Sequence, residues 1–248
     1  LLPIARRILA DEATARAEVA SLVERRAGHV RLGATPSLSA ELLPGILQIF
    51  RRRYDRIGVT LVEGGSRNLA ESLANAELDL ALMILPLHRG DTMLSATALI
   101  EEKLVLSAAA NILGRPGGDI SIDRLKGVPM LNYRAGYSLR ETLEQACQDA
   151  GFEPNVVVDG GEMNSVVAMA EAGVGACLLP TTVARRAQLV SYNLISDRMT
   201  RTIGVAYRRG IVPSSAVRAL LTVIDEQLAS ARFPAGIKVT GRARAQLD

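Results

Sequence analysis

Hydroxyl side chains stand where the sequence pattern changes from strand to helix, at Thr35, Ser37, Ser39, Ser66 and Ser138. The first three follow the apolar run 30–34 and precede a helical pattern of apolar residues. The first turn of a helix presents free N–H groups and the positive end of the helix dipole. These positions therefore predict an anion site. The same spacing also allows Ser37 and Ser39 simply to cap the helix.

The elements that position these hydroxyls form a repeating strand–helix pattern. Apolar runs at 30–34, 59–62 and 78–85 are separated by helical periodicity, and Pro44 fits the first turn of the first helix. This order predicts a parallel sheet with right-handed crossovers. Residues 98–109 then hold two short strand-like runs around Glu101-Glu102-Lys103.

A second strand–helix series begins at residue 128. Its loop 132–137 leads into a helix that a capping box of Ser138 and Glu141 is expected to open and Gly151 to end. Further strands and helices alternate up to a last helix near the C-terminus. The sequence thus predicts an α/β protein of two Rossmann-like lobes, with ligands bound outside the carboxyl ends of the strands.

The second lobe is inserted into the first, so the chain crosses between them near Val105 and Ile203, where we expect a hinge. Two such lobes would face each other across a cleft, a common place for ligands. The predicted boundaries are 29–106 and 207–232 for lobe I, 107–206 for lobe II, and 233–248 for a flexible tail.

A long helix is expected before the lobes. Residues 1–28 carry a heptad-like apolar stripe that is typical of a linker or dimerisation helix. The chain starts at Leu1, without methionine, and we expect it to be part of a longer protein.

Composition excludes several classes of function. The net charge is only +3, from 29 Lys and Arg against 26 Asp and Glu, which is too mild to predict nucleic-acid binding by this chain. Cys147 and Cys177 stand in apolar contexts and predict reduced structural thiols of a cytoplasmic protein, with a redox pair as the alternative. His29 and His88 are too few to predict a metal site, and no apolar run approaches a membrane span.

Three segments carry a family resemblance: ARRILADEATARAEVASLVERRAGHVRLGATPSLSAELLPGILQIF, ESLANAELDLALMIL and GEMNSVVAMAEAGVGACLLP. In order and spacing, over roughly residues 1–230, the chain resembles LysR-type transcriptional regulators. The resemblance implies a linker helix and an effector-binding domain with a periplasmic-binding-protein-like (type 2) fold. It also implies a homodimer or tetramer, with promoter DNA bound only through a winged helix-turn-helix that this chain lacks.

The resemblance also implies which residues line the effector cleft. They are Ser37, Leu38, Ser39, Gly65, Ser66, Arg134, Tyr137, Ser138, Met163 and Asn164. For their part, the residues themselves predict no catalytic residue, no metal and no cofactor. Family members commonly have glycine at the end of the second helix, where this chain has Ala76, which leaves the cap geometry there open.

The sequence allows more than one role for each of three side chains in lobe II. Arg134 would bind a carboxylate in bidentate fashion or lie solvated in its loop. Tyr137, like Tyr133, would stack on a ligand ring or pack in the core. Glu162 would repel an acid, cap its helix, or contact a hydroxyl or amine of the ligand.

Two other functions compete with a ligand sensor. A solute-binding protein for transport shares the predicted fold, but it would carry an export signal and would not start with a dimerisation-type helix. A hydrolase would need a nucleophile elbow, and the sequence has no G-x-S-x-G. The sequence therefore favours a sensor over an enzyme.

Overall fold

A computed structural model describes residue 12 and residues 28–87, 90–114, 118–196 and 198–244. The predicted linker helix thus lies outside the described residues, apart from residues 12 and 28, and His88 lies outside them too. The described chain divides into two compact units. Unit 1 holds residues up to Ile100, Thr202–Phe233 and the residues from Val239, and unit 2 holds Glu101–Arg201 and Pro234–Lys238.

The strands are β1 His29–Ala34, β2 Gly58–Glu63, β3 Leu80–Leu85, β4 Leu94–Ala108, β5 Asp119–Ser121, β6 Pro129–Tyr133, β7 Asn155–Gly161, β8 Cys177–Pro180, β9 Val190–Ile195, β10 Thr200–Arg208 and β11 Ile237–Val239. The helices are α1 Pro36–Glu41, α2 Leu43–Arg53, α3 Ser66–Ala74, α4 Ala110–Leu113, α5 Ser138–Asp149, α6 Met163–Glu171, α7 Thr181–Ala184 and α8 Ser215–Ser230, with a 3-10 turn at Ile122–Leu125.

Unit 1 is built on a sheet with the strand order β2-β1-β3-β10-β4. Strand β1 pairs in parallel with β2 and β3, and β10 pairs antiparallel with β3. The parallel pairing predicted from the strand–helix order is confirmed. Strands β1 and β3 are almost wholly buried, and α2 packs against α8 beside them. This core fixes the carboxyl ends of β1, β2 and β3 at one edge of the sheet.

Unit 2 has its own hydrophobic core, which includes Leu131, Leu143 and Leu178. Strand β4 pairs antiparallel with β8 and β9, and β6 pairs in parallel with β7. Helices α5 and α6 follow β6 and β7, so each starts near the carboxyl end of its preceding strand. The polar residues after these two strands consequently share one edge of unit 2.

Strand β4 differs from its prediction. Instead of two short runs around the charged residues, it is one continuous strand of 15 residues. Glu102 does not interrupt it, because its carboxylate is buried, 1% exposed, against the guanidinium of Arg201 on β10. The carboxylate also accepts hydrogen bonds from the N–H and the hydroxyl of Thr182, at 2.9 and 2.7 Å.

Two helix starts also differ from their predictions. Ser37 and Ser39 lie within the short helix α1 rather than in a turn, and Thr35 is its N-cap residue without a side-chain cap bond. Neither serine therefore caps a helix. Helix α5 has Tyr137 rather than Ser138 at its N-cap, and this residue makes no side-chain cap hydrogen bond, so the predicted capping box is wrong.

Ala76 stands where the resemblance expects glycine, and it has a left-handed φ of +61°. Its N–H donates to the Leu73 carbonyl (3.0 Å), and the Glu77 N–H donates to the Ser72 carbonyl (2.9 Å). This pattern is a Schellman cap, which normally uses glycine because a Cβ disfavours the left-handed region. Arg31 helps to hold the strained residue by donating to its carbonyl at 2.7 Å.

The C-terminal segment is more ordered than the predicted flexible tail. Strand β11 pairs with β4, and the Thr240 N–H donates to the Leu99 carbonyl at 2.8 Å. Ala243 is fully buried, and the Asp225 carboxylate of α8 accepts the N–H groups of Ala243 and Arg244. Backbone pairing and one buried carboxylate therefore order a segment that has no periodic apolar pattern.

Candidate functional site

The hydroxyl-bearing loops of unit 1 meet at the carboxyl edge of its parallel strands. Ala34 of β1 is in register with Glu63 of β2 and with Leu82 of β3. The Gly64 N–H donates to the Ala34 carbonyl at 3.2 Å, which places the loop after β2 directly beside the start of α1. The structure thus brings the segment of Ser37, Leu38 and Ser39 next to Gly65 and Ser66.

Two hydroxyls at this edge are enclosed without a hydrogen bond. Among the described residues, neither Thr35 Oγ1 nor Ser39 Oγ has a partner, and both atoms are buried. Thr35 is only 7% exposed, and a buried hydroxyl without a hydrogen-bond partner is energetically costly. Ser37 and Leu38 are buried beside them, at 4% and 2% exposure. The sequence-derived site omitted Thr35, although it is the first hydroxyl after β1.

Gly65 and Ser66 form the start of α3. Gly65 is the N-cap residue with extended backbone, and Ser66 is the first residue of the helix. The Ser66 hydroxyl accepts a hydrogen bond from the Ile84 N–H of β3, at 3.0 Å. Removing that hydroxyl leaves a strand amide unpaired, which typically costs about 1–3 kcal/mol. Ser66 therefore supports the fold as well as standing at the candidate site.

The corresponding edge of unit 2 carries the remaining predicted residues. Tyr133 at the end of β6 is in register with Gly161 at the end of β7, and the Arg134 N–H donates to the Gly161 carbonyl at 3.2 Å. Ser138 and Asn164 begin α5 and α6 close to this edge. Met163 is different, because its side chain is 5% exposed and packs into the core, leaving only its backbone toward the helix start.

Tyr133 and Tyr137 do not offer a free ring face to a ligand. Their rings stack on each other with centroids 5.4 Å apart and planes within 8°. Tyr133 is 1% exposed and donates to the Leu178 carbonyl at 2.9 Å, so it belongs to the core. The Arg134 guanidinium lies 5.3 Å from the centroid of the Tyr137 ring.

Glu162 completes this cluster. One carboxylate oxygen forms an ion pair with Arg134 Nε, and the other accepts the hydroxyl hydrogen of Tyr137. Burial, and then the hydrogen bond to Glu162, raises the pKa of Tyr137 well above its usual 10. Tyr137 therefore stays a protonated donor at neutral pH. Of the roles left open by the sequence, the cap is excluded for the Glu162 side chain, which makes no cap hydrogen bond in α6.

The described residues contain no group of three or more His, Cys, Asp or Glu side chains placed to hold a metal ion. Within the same residues, no helix is long and apolar enough to cross a membrane.

A model of the LysR substrate binding domain matches residues 24–229, which is most of the chain. The chain belongs to this family. Among curated proteins, the HTH-type transcriptional regulator YwbI of Bacillus subtilis is 26% identical over 164 residues, covering 66% of the chain and 54% of that protein. A probable hydrogen peroxide-inducible genes activator of Streptomyces viridosporus is 26% identical over 243 residues, covering 92% of the chain and 77% of that protein.

Solved structures agree with this assignment at the level of the fold. The effector binding domain of QuiR, solved in complex with shikimate, superposes with a TM-score of 0.70 at 17% identity, covering 80% of this chain and 95% of that chain. The predicted α/β fold of the LysR effector-binding type is thereby confirmed. The chain spans only about half the length of the YwbI regulator, 54%.

The two cysteines of this LysR-family domain are both free and buried in the core of unit 2. Burial raises the pKa of Cys147 to about 11 and that of Cys177 to about 12, from an ordinary value of 9. A reactive or redox-sensing cysteine needs an accessible thiolate. Both thiols are buried and protonated at neutral pH, which supports a structural role for the two cysteines over a redox pair.

We expect the buried thiols to make the domain lose stability as the pH rises above 9. Below pH 9, the thiols are neutral in both states and their contribution to stability is fully present. From pH 9 to about 11 or 12, the unfolded chain releases these protons and the folded chain does not, so unfolding is favoured. Urea unfolding at a series of pH values measures this slope, and the double variant C147A/C177A should show a shallower one. Equal slopes in both proteins would contradict the assignment.

Proposed function

We propose that this domain is the ligand sensor of a LysR-type transcriptional regulator and that it binds a small carboxylate, aromatic acids included. The observation that carries the proposal is the enclosed pair of hydroxyls without partners at the start of α1, Thr35 Oγ1 and Ser39 Oγ. A hydrogen bond from a bound ligand would remove the cost of leaving them unpaired. The sensor function also agrees with the family and with regulators as curated relatives.

The local electrostatics favour an anion at this edge. Neither α1 nor α3 has an acidic residue in its first turn. Backbone N–H groups and hydroxyls at helix starts suit a carboxylate. The residues that we propose as its contacts are Ser37, Leu38, Ser39, Gly65 and Ser66 in unit 1 and Arg134, Tyr137, Ser138, Met163 and Asn164 in unit 2.

Signalling would follow from a population shift. An effector that binds one arrangement of the two lobes more tightly biases their equilibrium toward it. The linker helix would pass this change to a winged helix-turn-helix in a homodimer or tetramer in the cytoplasm, and that domain would bind promoter DNA. We propose that the domain catalyses no reaction, holds no cofactor and does not contact a membrane.

The variant Thr35→Val tests the binding site. It replaces an enclosed hydroxyl without a partner by a methyl group of similar size, so the free energy of unfolding should stay equal or rise. Its affinity for a carboxylate effector should fall about tenfold or more, because a hydrogen bond to a charged group contributes about 1.5–3 kcal/mol. A thermal-shift screen of carboxylates that includes shikimate and benzoate, followed by calorimetry on the hits, measures both quantities.

Ser230→Ala provides the matched control, since Ser230 is an exposed hydroxyl at the end of α8. It should leave every affinity unchanged. Ser66→Ala is a poorer test because the lost bond to Ile84 destabilises the ligand-free fold. If the wild-type domain binds amines or neutral compounds and no carboxylate, the anion assignment is wrong.

The alternative function that the sequence left open was a solute-binding protein of a transport system. The curated relatives are transcriptional regulators, and this does not favour the transport alternative.

A further inference from the structure

The predicted anion receptor in unit 2, Arg134, already has a carboxylate beside it. Glu162 pairs with its Nε atom through one oxygen and accepts the Tyr137 hydroxyl through the other. The two opposite charges cancel within the cluster. A ligand that brings only a carboxylate to Arg134 must therefore stand next to a second carboxylate, which repels it.

Both members of the ion pair keep capacity for further hydrogen bonds. The Arg134 side chain is 40% exposed and that of Glu162 is 52% exposed. A guanidinium has five N–H donors and the pair engages its Nε side, while a carboxylate has about four acceptor positions and Glu162 uses two of them here. The cluster thus offers donors from Arg134 and acceptors from Glu162, side by side.

The aromatic rings of the cluster are not available for stacking on a ligand. The Tyr137 ring is covered by Tyr133 on its stacked face and has the Arg134 guanidinium within 5.3 Å of its centroid. Tyr137 is also only 7% exposed. Selectivity at this cluster must consequently come from hydrogen bonding and charge rather than from stacking on a ligand ring.

We propose that Arg134 and Glu162 together select a carboxylic acid with a hydroxyl or ammonium group beside its carboxylate. The ligand carboxylate binds Arg134, and the neighbouring donor binds Glu162, so the two charges of the protein are matched and the repulsion is offset. The specificity class is therefore hydroxy acids and amino acids, and plain monocarboxylates and dicarboxylates are disfavoured. This inference rests on the proposed sensor function and specifies its ligand.

Matched probe pairs test this selectivity. Mandelate and phenylacetate differ by one hydroxyl, lactate and propionate by one hydroxyl, and 2-aminobutyrate and butyrate by one ammonium group. Calorimetry and thermal shift on the wild-type domain should show the donor-bearing member of a pair binding about tenfold or more tightly than its partner. Succinate, which adds a second carboxylate, should bind more weakly than either hydroxy acid.

The variant Glu162→Gln removes the charge and keeps the shape of the side chain. It should bring the members of each pair to within about twofold of each other and improve binding of phenylacetate and succinate. Glu153→Gln removes an exposed charge elsewhere in unit 2 and should leave the wild-type ratios unchanged. Arg134→Lys keeps the charge but loses the planar fork, so it should weaken all the acids together.

Equal affinities within the pairs for the wild-type domain, or unchanged ratios in Glu162→Gln, would overturn the inference, as would no binding to either protein. A different result would contradict the proposed binding site in unit 1 without contradicting this inference. If the pairs are discriminated while Thr35→Val binds them as tightly as the wild type, the unit 1 hydroxyls are not part of the site although the Arg134–Glu162 selectivity stands.

Discussion

Glu102→Ala should lower the free energy of unfolding by about 3–5 kcal/mol, the usual cost of breaking one side of a buried ion pair. Glu102 is 1% exposed and its partner Arg201 is 5% exposed, with 2.7 Å between Oε2 and Nη2. Without the carboxylate, the buried Arg201 guanidinium loses its ion pair with Glu102, and Thr182 loses the acceptor of two hydrogen bonds. Urea unfolding followed by circular dichroism measures the loss.

The double variant Glu102→Leu/Arg201→Met separates the effect of the buried charges from the effect of lost packing. Replacing both charges by apolar side chains of similar volume is often neutral or stabilising. Only the unpaired Thr182 groups should then cost stability, so the double variant should be more stable than Glu102→Ala. If the single variant is as stable as the wild type, the pair is not buried as described. If the double variant is less stable than both the wild type and Glu102→Ala, the ion pair itself stabilises the interior more than apolar side chains do.

Gly204→Val should destabilise unit 1 by about 3 kcal/mol or more, at the upper end of the cost of overpacking a core. Gly204 lies in β10 opposite Met83 of β3, inside the sheet. A Cβ there would meet the Leu85 side chain and would lie 2.6 Å from the backbone carbonyl oxygen of Thr97. A backbone atom of a neighbouring strand cannot move aside without breaking the strand pairing. The midpoint of urea unfolding should shift accordingly.

Gly45→Ala is the matched control for this effect. Gly45 lies in α2, and the nearest atom to an added Cβ is 3.5 Å away, at the end of the Gln227 side chain. Alanine favours a helix by up to about 1 kcal/mol over glycine, so this variant should be at least as stable as the wild type. A Gly204→Val protein with wild-type stability would show that β3, β4 and β10 are not as tightly packed as described.

Local patterns were sufficient to predict most strands and helices. The apolar runs of β1, β2 and β3 and the periodicity of α8 are visible in the sequence because each depends on its own residues. The continuity of β4 was not predictable in this way, since Glu102 reads as a charged break until Arg201, 99 positions later, is placed against it. The order of the C-terminal segment likewise depends on Asp225 and on backbone pairing with β4, neither of which leaves a local pattern.

In the candidate site too, the positions that depend on local sequence were predictable and the contacts that depend on the fold were not. Hydroxyls such as Ser37 and Ser66 were predictable because each lies after a strand and at the start of a helical pattern, and the edge of a parallel sheet brings such positions together. The partners of Arg134 were not predictable, because its contact with Glu162 depends on the register between β6 and β7. Thr35 was recognised as a hydroxyl beside the site, but its lack of a partner is a property of the folded core.

The order of the C-terminal segment has a consequence for exchanging this domain between members of its family. The family match ends at residue 229, whereas hydrogen-bonded structure continues to Arg244. A chimaera joined at the family boundary would remove β11 and leave the Asp225 carboxylate, only 8% exposed, without its two backbone donors. A transplanted domain would then have a weakened unit 1, and any change in the behaviour of the chimaera would report damaged folding. A transfer should therefore keep the chain at least through residue 244.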